Sequence, residues 1–133
     1  MAEELIAWHE ENENKWRLAY HLCWSANVYL KMAKGKGWTS LAFLSRNLGF
    51  IMRNFLVAGK KAEEYLKKSV EVAGQIGAIA ILGQAYLGLG LLYKTRGKTD
   101  DSGKYISKAI DAFEKCGAEG YLQQAREALA PAN

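Results

Sequence analysis

Few residues in this sequence have side chains suited to catalysis or metal binding. The chain has two histidines, His9 and His21, and two cysteines, Cys23 and Cys116. His21 and Cys23, with His9 or a nearby glutamate, could ligate zinc, but their spacing is not that of the usual structural sites and there is no second pair. The pattern therefore predicts no metal site.

Catalytic and phosphate-binding motifs are also missing. The run Lys34-Gly35-Lys36-Gly37 does not have the residue order of a phosphate-binding loop, so it is interpreted as a turn between repeats. Both histidines lie in one aromatic-rich segment, so the sequence predicts no Ser-His-Asp or Cys-His-Asn catalytic triad. We therefore predict a protein that is not an enzyme and needs no cofactor.

Cysteine usage and the chain start bear on location. Cys23 and Cys116 lie far apart within apolar helical pattern, so we expect free, buried thiols rather than a disulfide framework. Residues 1–4 lack the basic and apolar regions of a signal peptide. No stretch approaches the roughly 20 apolar residues that cross a bilayer. These features predict a cytoplasmic protein without membrane association.

Length and composition favour one helical domain. The chain has 133 residues, half of them apolar, with 13 glycines and one proline, Pro131. This length can bury a single core, and the near-absence of proline favours long helices over a turn-rich β fold. We therefore predict one all-α domain over residues 1–133.

An internal repeat organises the chain at a spacing of forty, set by Gly37, Gly77 and Gly117. Apolar residues stay apolar in all three copies, and two polar or aromatic positions also recur. The aligned sets are Ala26, Leu66 and Ile106; Leu30, Val70 and Ile110; Leu41, Ile81 and Tyr121; Tyr65 and Tyr105; and Lys68 and Lys108. Such periodic apolar positions are what a stacked helical core requires.

Helical periodicity and glycine stops divide these units into about six helices. A half repeat covers about 14–36, and complete repeats cover about 37–76 and 77–116. The first complete repeat is predicted as helices 41–58 and 60–76, separated by Gly59. The second has a helix over 79–96, a stop at Gly97, and N-cap oxygens supplied by Thr99, Asp100, Asp101 and Ser102. A capping helix follows at about 118–130.

The segment from Tyr86 to Tyr93, Tyr-Leu-Gly-Leu-Gly-Leu-Leu-Tyr, resembles the tetratricopeptide repeat signature, with Gly90 and Ala109 as the small packing residues. The resemblance implies a right-handed α-α superhelix of antiparallel helix hairpins. The usual repeat is thirty-four residues, and the forty-residue form looks like the C-terminal repeats of bacterial class III adenylate and guanylate cyclase-like proteins and large transcriptional regulators. It implies the C-terminal regulatory part of a larger signalling protein.

In this family the first helix of each pair lines a groove that holds a partner peptide. Carried over, the groove candidates are Arg46, Gly49, Phe50, Arg53 and Leu56, then Gln84, Leu87, Gly88, Leu91 and Lys94. Glycine or leucine stands where chaperone-tail-binding members have polar residues, so that particular clamp is not implied. Arg46, Arg53 and Lys94 could pair with carboxylates, or they could be ordinary solvated side chains.

The N-terminal third is rich in aromatic residues, with Trp8, Trp16 and Trp24 at intervals of eight and Tyr20 and Tyr29 among them. Eight residues advance about 80° past two full turns, so these rings form a broad band. Most of this band is expected to lie in the core, packed on the first helix hairpin. Because a half repeat has no upstream helix, some of the aromatic surface is expected to stay exposed and to mediate self-association as a two-fold dimer. The alternative is a short helix over residues 2–10 that covers it.

The charge distribution leaves a second functional class open. Residues 15–98 contain fourteen basic residues and three acidic ones, Glu63, Glu64 and Glu71. Such a basic segment could bind an acidic peptide or a nucleic acid, or it could be a solvated surface. We predict a protein–protein interaction scaffold that binds a partner, self-associates, or both, with a nucleic-acid-binding helical repeat as the alternative.

Overall fold

The computed structural model describes residues 3, 4, 6, 14–33 and 41–131, with the side chains of 29–33 and 41–56 outside the description. Five helices follow one another: α1 (Lys15–Ala33), α2 (Leu41–Ile76), α3 (Ile79–Thr95), α4 (Thr99–Cys116) and α5 (Glu119–Leu129). Glu3, Glu4 and Ile6 are helical as well. The described part of the chain contains no strand, which confirms the all-α prediction.

Helix α2 differs from its prediction. It runs for 36 residues through Gly59, so the predicted helix end at that glycine is wrong. Glycine permits a left-handed stop but does not impose one. Its cost inside a helix is at most about 1 kcal/mol relative to alanine. The buried stripe of Ala58, Ala62 and Leu66 continues past this position, and burying it favours an unbroken helix.

Three turns of the same design end the later helices. Gly77, Gly97 and Gly117 adopt φ values of 67°, 72° and 68°, the left-handed region that glycine accepts without strain. In each turn the residue after the glycine donates its N–H to a carbonyl five positions earlier, as in Lys98 N to Tyr93 O at 3.0 Å. These bonds form a Schellman motif. The predicted helix ends at these three glycines are confirmed, while Gly37 lies outside the described residues.

The start of α4 departs from the expected capping. The N-cap residue is Lys98, and it makes no side-chain cap bond. Asp100 and Asp101 lie in the first turn, where carboxylates interact favourably with the helix dipole. Ser102 instead donates its Oγ hydrogen to the carbonyl of Gly90 at 2.8 Å. The predicted use of these residues as N-caps is wrong, because the glycine turn places a different residue there.

Helix α3 is the centre of the packing. It contacts α1, α2, α4 and α5, and it is buried on most of its circumference. A methyl group added at Gly90 would lie 2.5 Å from Ile106 Cγ1 and 3.2 Å from two backbone atoms of α4. The absence of a side chain at Gly90 therefore permits close approach of α3 and α4.

Two apolar clusters form the core. Ile6 and residues of α1, α2 and α3 make up the larger cluster, in which Leu22 and Leu66 are fully buried. The smaller cluster joins α3, α4 and α5 around Phe113 and Leu122. Helix α5 keeps one buried side and one exposed side, as expected of the predicted capping helix. No described helix has the length and apolar character needed to span a membrane.

The two cysteines have different environments. Both are free thiols. Cys23 is buried, as predicted, and burial raises its pKa to about 11. Cys116 is exposed, so the prediction that it is buried is wrong. It stands at the last position of α4, beside the Gly117 turn, where the helix end projects into solvent.

Candidate interaction surfaces

Helix α1 has one buried and one exposed apolar side. Leu18, Ala19, Leu22, Cys23 and Ala26 point into the core, and each is at most 5% exposed. The opposite side carries three large rings and a valine that are about half exposed. Their exposed fractions are 56% for Trp16, 45% for Tyr20, 55% for Trp24 and 37% for Val28. We call these four residues the aromatic face.

The rings of the aromatic face form a row. Trp16, Tyr20 and Trp24 are four residues apart, so they follow one another along about 12 Å of helix, each turned by about 40° from the one before. The Trp16 and Tyr20 rings are stacked, with centroids 5.8 Å apart and planes within 3° of each other. This stacking holds the two rings together, so they present one continuous apolar surface.

Two described residues of the N-terminal segment, Glu3 and Ile6, contact α2 and the core. Ile6 is 8% exposed and belongs to the larger core cluster, and Tyr65 donates a 3.5 Å hydrogen bond to Glu3 Oε1. The described helical residues of this segment therefore pack near α2, while the three rings keep about half of their surface exposed. Trp8 lies outside the described residues, and so does the side chain of Tyr29.

The groove candidates of the second repeat lie on different sides of α3. Gln84 and Leu91 are half-buried, whereas Leu87 is 7% exposed and packs in the smaller core cluster. A methyl group at Gly88 would meet Leu66 Cδ2 at 2.8 Å, which places this glycine against α2. Lys94 is exposed and donates from Nζ to the Ala128 carbonyl at 2.8 Å, near the end of α5.

The groove candidates of the first repeat lie in the N-terminal half of α2. Arg46, Gly49, Phe50, Arg53 and Leu56 belong to this helix, but their side chains are outside the described part. Their grouping with the second set in one peptide groove stays a prediction.

A second surface feature lies between α3 and α4 and was not predicted. It is a pocket of about 280 Å³, which we call the lysine–tyrosine pocket. Lys108 Nζ lies 5.4 Å from the Tyr86 ring centroid and 5.6 Å from that of Tyr105. Its lining residues are Ile79, Leu82, Tyr86, Lys108, Asp111, Ala112 and Lys115. The recurrence of tyrosine at 65 and 105 and of lysine at 68 and 108 is visible in the sequence, but it does not show that Tyr86 of α3 meets Lys108 of α4.

A charged network joins α2 to the end of α3. The Glu63 carboxylate accepts hydrogen bonds from Tyr93 Oη at 2.6 Å and Arg96 Nη1 at 2.5 Å, and it pairs with Lys67 Nζ at 2.9 Å. Burial acts to raise the pKa of Glu63, but the bonds from Tyr93, Arg96 and Lys67 outweigh it and lower that pKa to about 2. Burial and the bond to Glu63 raise the pKa of Tyr93. Tyr93, Arg96 and Lys67 all bind the same carboxylate, so we interpret this network as one that stabilises the packing of α2 against the end of α3.

The described residues include no cluster of metal-ligating side chains. In the parts of the chain that the structure describes, no three histidine, cysteine, aspartate or glutamate residues are grouped so as to hold a metal ion. Comparisons with protein-family models, with curated proteins and with solved structures gave no match.

Proposed function

We propose that this protein is a protein-interaction scaffold that self-associates through the aromatic face of α1. The observation that supports this proposal is the exposed row of Trp16, Tyr20 and Trp24. Contiguous apolar surface of this kind is characteristic of interfaces, and tryptophan and tyrosine are the residues most enriched at binding hot spots.

The row is suited to a two-fold dimer. It is symmetric about Tyr20, so two antiparallel copies of α1 would place Trp16 of one copy opposite Trp24 of the other. Aromatic side chains bury about 150–250 Å² each, and about half of each ring is available here, which gives roughly 450–750 Å² from the rings of two copies. Val28 and polar neighbours enlarge this area towards the roughly 1,000 Å² of a specific interface. We therefore expect a reversible, concentration-dependent dimer.

Features of the fold support a tetratricopeptide-like organisation within this proposal. The glycine turns recur at 77, 97 and 117. Helix α3 contacts α1 and α5, each two helices away from it along the chain, as well as its direct neighbours. Gly90 lies at the close helix crossing where the repeat signature has its glycine. We propose a right-handed superhelix, a peptide groove that includes Gln84 and Leu91, and a cytoplasmic role as the C-terminal regulatory part of a larger signalling protein.

One observation favours the nucleic-acid alternative. The exposed Lys15 and Arg17 flank Trp16 at the start of α1, and no acidic residue lies in the first turn of that helix. Aromatic rings beside basic residues can stack on bases and neutralise phosphates. This binding would weaken steeply with added salt, because counterions are released from the nucleic acid. Apolar self-association would not weaken in this way.

The experiment is molar mass by light scattering over a dilution series. Three proteins are compared: the wild-type chain, a Trp16→Ser and Trp24→Ser double variant, and Leu129→Ser as the control. Leu129 is 45% exposed but lies in α5, which does not contact α1. The wild type and the control should move from monomer to dimer with concentration, while the double variant should stay monomeric.

Three results would count against self-association through α1: a wild-type monomer at every concentration, dimers in all three proteins, or dimers lost only in the control. Far-ultraviolet circular dichroism confirms that the double variant keeps its helices, so a monomer cannot be ascribed to unfolding. Tight binding of a single-stranded oligonucleotide at low salt by a monomeric wild type would favour the nucleic-acid alternative.

A further inference from the structure

The lysine–tyrosine pocket combines an apolar floor with two cations. Ile79, Leu82 and Ala112 supply apolar lining, and Lys108 and Lys115 supply the positive charge. Within the described part of the chain, neither ammonium group forms an ion pair with a carboxylate. Asp111 is the one acidic residue of the lining, so the pocket keeps a net positive charge.

The position of Lys108 is fixed by the aromatic rings beneath it. Its ammonium group lies over both Tyr86 and Tyr105, at the distance of a cation–π interaction. The rings in turn pack on each other, with centroids 6.1 Å apart between Tyr86 and Tyr105 and 5.5 Å apart between Tyr93 and Tyr105. A lysine held in this way loses less side-chain entropy when it binds an anion than a free surface lysine does.

The chemistry of the pocket favours a short acidic peptide. A volume near 280 Å³ lies just below the usual range of small-molecule pockets, and it is enough for one apolar side chain with a carboxylate beside it. Lys108 and Lys115 are seven residues apart, so they lie about two turns apart along one side of α4 and can receive carboxylates on either side of that apolar anchor.

A nucleic acid fits this pocket less well. Base stacking needs open ring faces, but the tyrosine rings pack on one another and carry Lys108 on top. Asp111 would also repel a phosphate backbone that follows the lysines. A peptide can keep its carboxylates at the two lysines and away from Asp111.

We infer that the lysine–tyrosine pocket docks a peptide segment of another protein, with one apolar or aromatic anchor flanked by aspartate or glutamate. This site is separate from the aromatic face and from the predicted groove, and it does not depend on self-association. It gives the scaffold a second contact with its own partner chemistry, carried by α3 and α4.

The test is selection of a phage-displayed random peptide library on the wild-type chain, with prior depletion on a Lys108→Glu and Lys115→Glu variant. Enriched peptides should contain an apolar or aromatic residue with acidic neighbours. Their affinities are then measured by fluorescence anisotropy for the wild type, Lys108→Gln, Lys115→Gln and a Lys60→Gln control. Lys60 is exposed on α2 and does not line the pocket, so its replacement makes the same charge change elsewhere.

Each pocket variant should weaken binding by about threefold to fivefold, the size of one solvent-accessible ion pair, and the control should bind as the wild type does. Binding should also survive the Trp16→Ser and Trp24→Ser changes, which separates this site from the aromatic face. Failure to enrich peptides, enrichment without acidic residues, or equal loss in Lys60→Gln would overturn the inference. Selective, strongly salt-dependent binding of single-stranded RNA at Lys108 and Lys115 would overturn it in favour of a nucleic acid.

Discussion

Replacing Gly90 with alanine tests the close crossing of α3 and α4 that shapes the lysine–tyrosine pocket. The added methyl group would lie 2.5 Å from Ile106 Cγ1 and 3.2 Å from both the Ile106 nitrogen and the Ser102 carbonyl oxygen. Ile106 is 1% exposed, so its side chain has little room to move. The two backbone contacts can be relieved only if the helices move apart.

The size of the effect follows from two opposing contributions. Alanine is favoured over glycine inside a helix by up to about 1 kcal/mol. Overpacking of a well-packed core costs about 1–3 kcal/mol. The control is Gly103→Ala in α4, where the new methyl group has no atom within 4 Å. Because the helix preference is common to both variants, the difference between them isolates the packing cost.

Guanidinium-induced unfolding followed by circular dichroism measures this difference. We expect the Gly103→Ala free energy of unfolding to rise by up to about 1 kcal/mol and the Gly90→Ala value to fall. The two variants should therefore differ by about 1–3 kcal/mol. If Gly90→Ala is as stable as Gly103→Ala, the helices do not approach as closely as described, and the geometry of the pocket is wrong.

Three further predictions concern hydrogen bonds and thiols. Glu63→Gln should lower the free energy of unfolding at neutral pH. Because the pKa of Glu63 falls from 4.5 to about 2 on folding, the difference from the wild type should shrink as pH falls from about 4.5 towards 2. Denaturant midpoints measured across that range test this, and a difference that does not change with pH would contradict it. In the core, Ser69 donates a hydrogen bond to the Ala19 carbonyl, and Ser102 donates one to the Gly90 carbonyl. Replacing either serine with alanine should lower the free energy of unfolding, measured by heat or denaturant, by about 0.5–1.5 kcal/mol. An unchanged free energy in either variant would refute the hydrogen bond concerned. In a thiol assay with Ellman's reagent, Cys116 should react in the native protein and Cys23 only after unfolding, whereas rapid reaction of both would contradict burial of Cys23.

The ends of the later helices could be predicted from the sequence because they depend on local backbone chemistry. Gly77, Gly97 and Gly117 each follow an apolar helical segment, and each adopts the left-handed conformation that only glycine accepts readily. Gly59 has a similar local setting, yet α2 continues through it. The difference lies in tertiary packing, since the stripe of buried residues on α2 extends across position 59, and local sequence does not reveal this.

The aromatic face could be predicted in outline. The half repeat predicted at 14–36 indicated that some of the aromatic band would be exposed, and Trp16 and Trp24 are each about half exposed; the expectation that most of the band lies in the core is wrong for these two rings. The lysine–tyrosine pocket could not be found in this way. It depends on how Tyr86 of α3 and Lys108 of α4 meet across a helix crossing, and one sequence does not fix that geometry.

Photo-crosslinking from the aromatic face tests the central proposal most directly. Tyr20, at the middle of the row, is replaced by the photoreactive aromatic analogue p-benzoylphenylalanine, and a matched protein carries it at Tyr121, which is 43% exposed on α5. After irradiation, mass spectrometry identifies the joined peptides. Our account predicts a covalent dimer joining position 20 to α1 of a second copy, and little dimer from position 121. Only intramolecular products from position 20, or equal dimer from both positions, would contradict it.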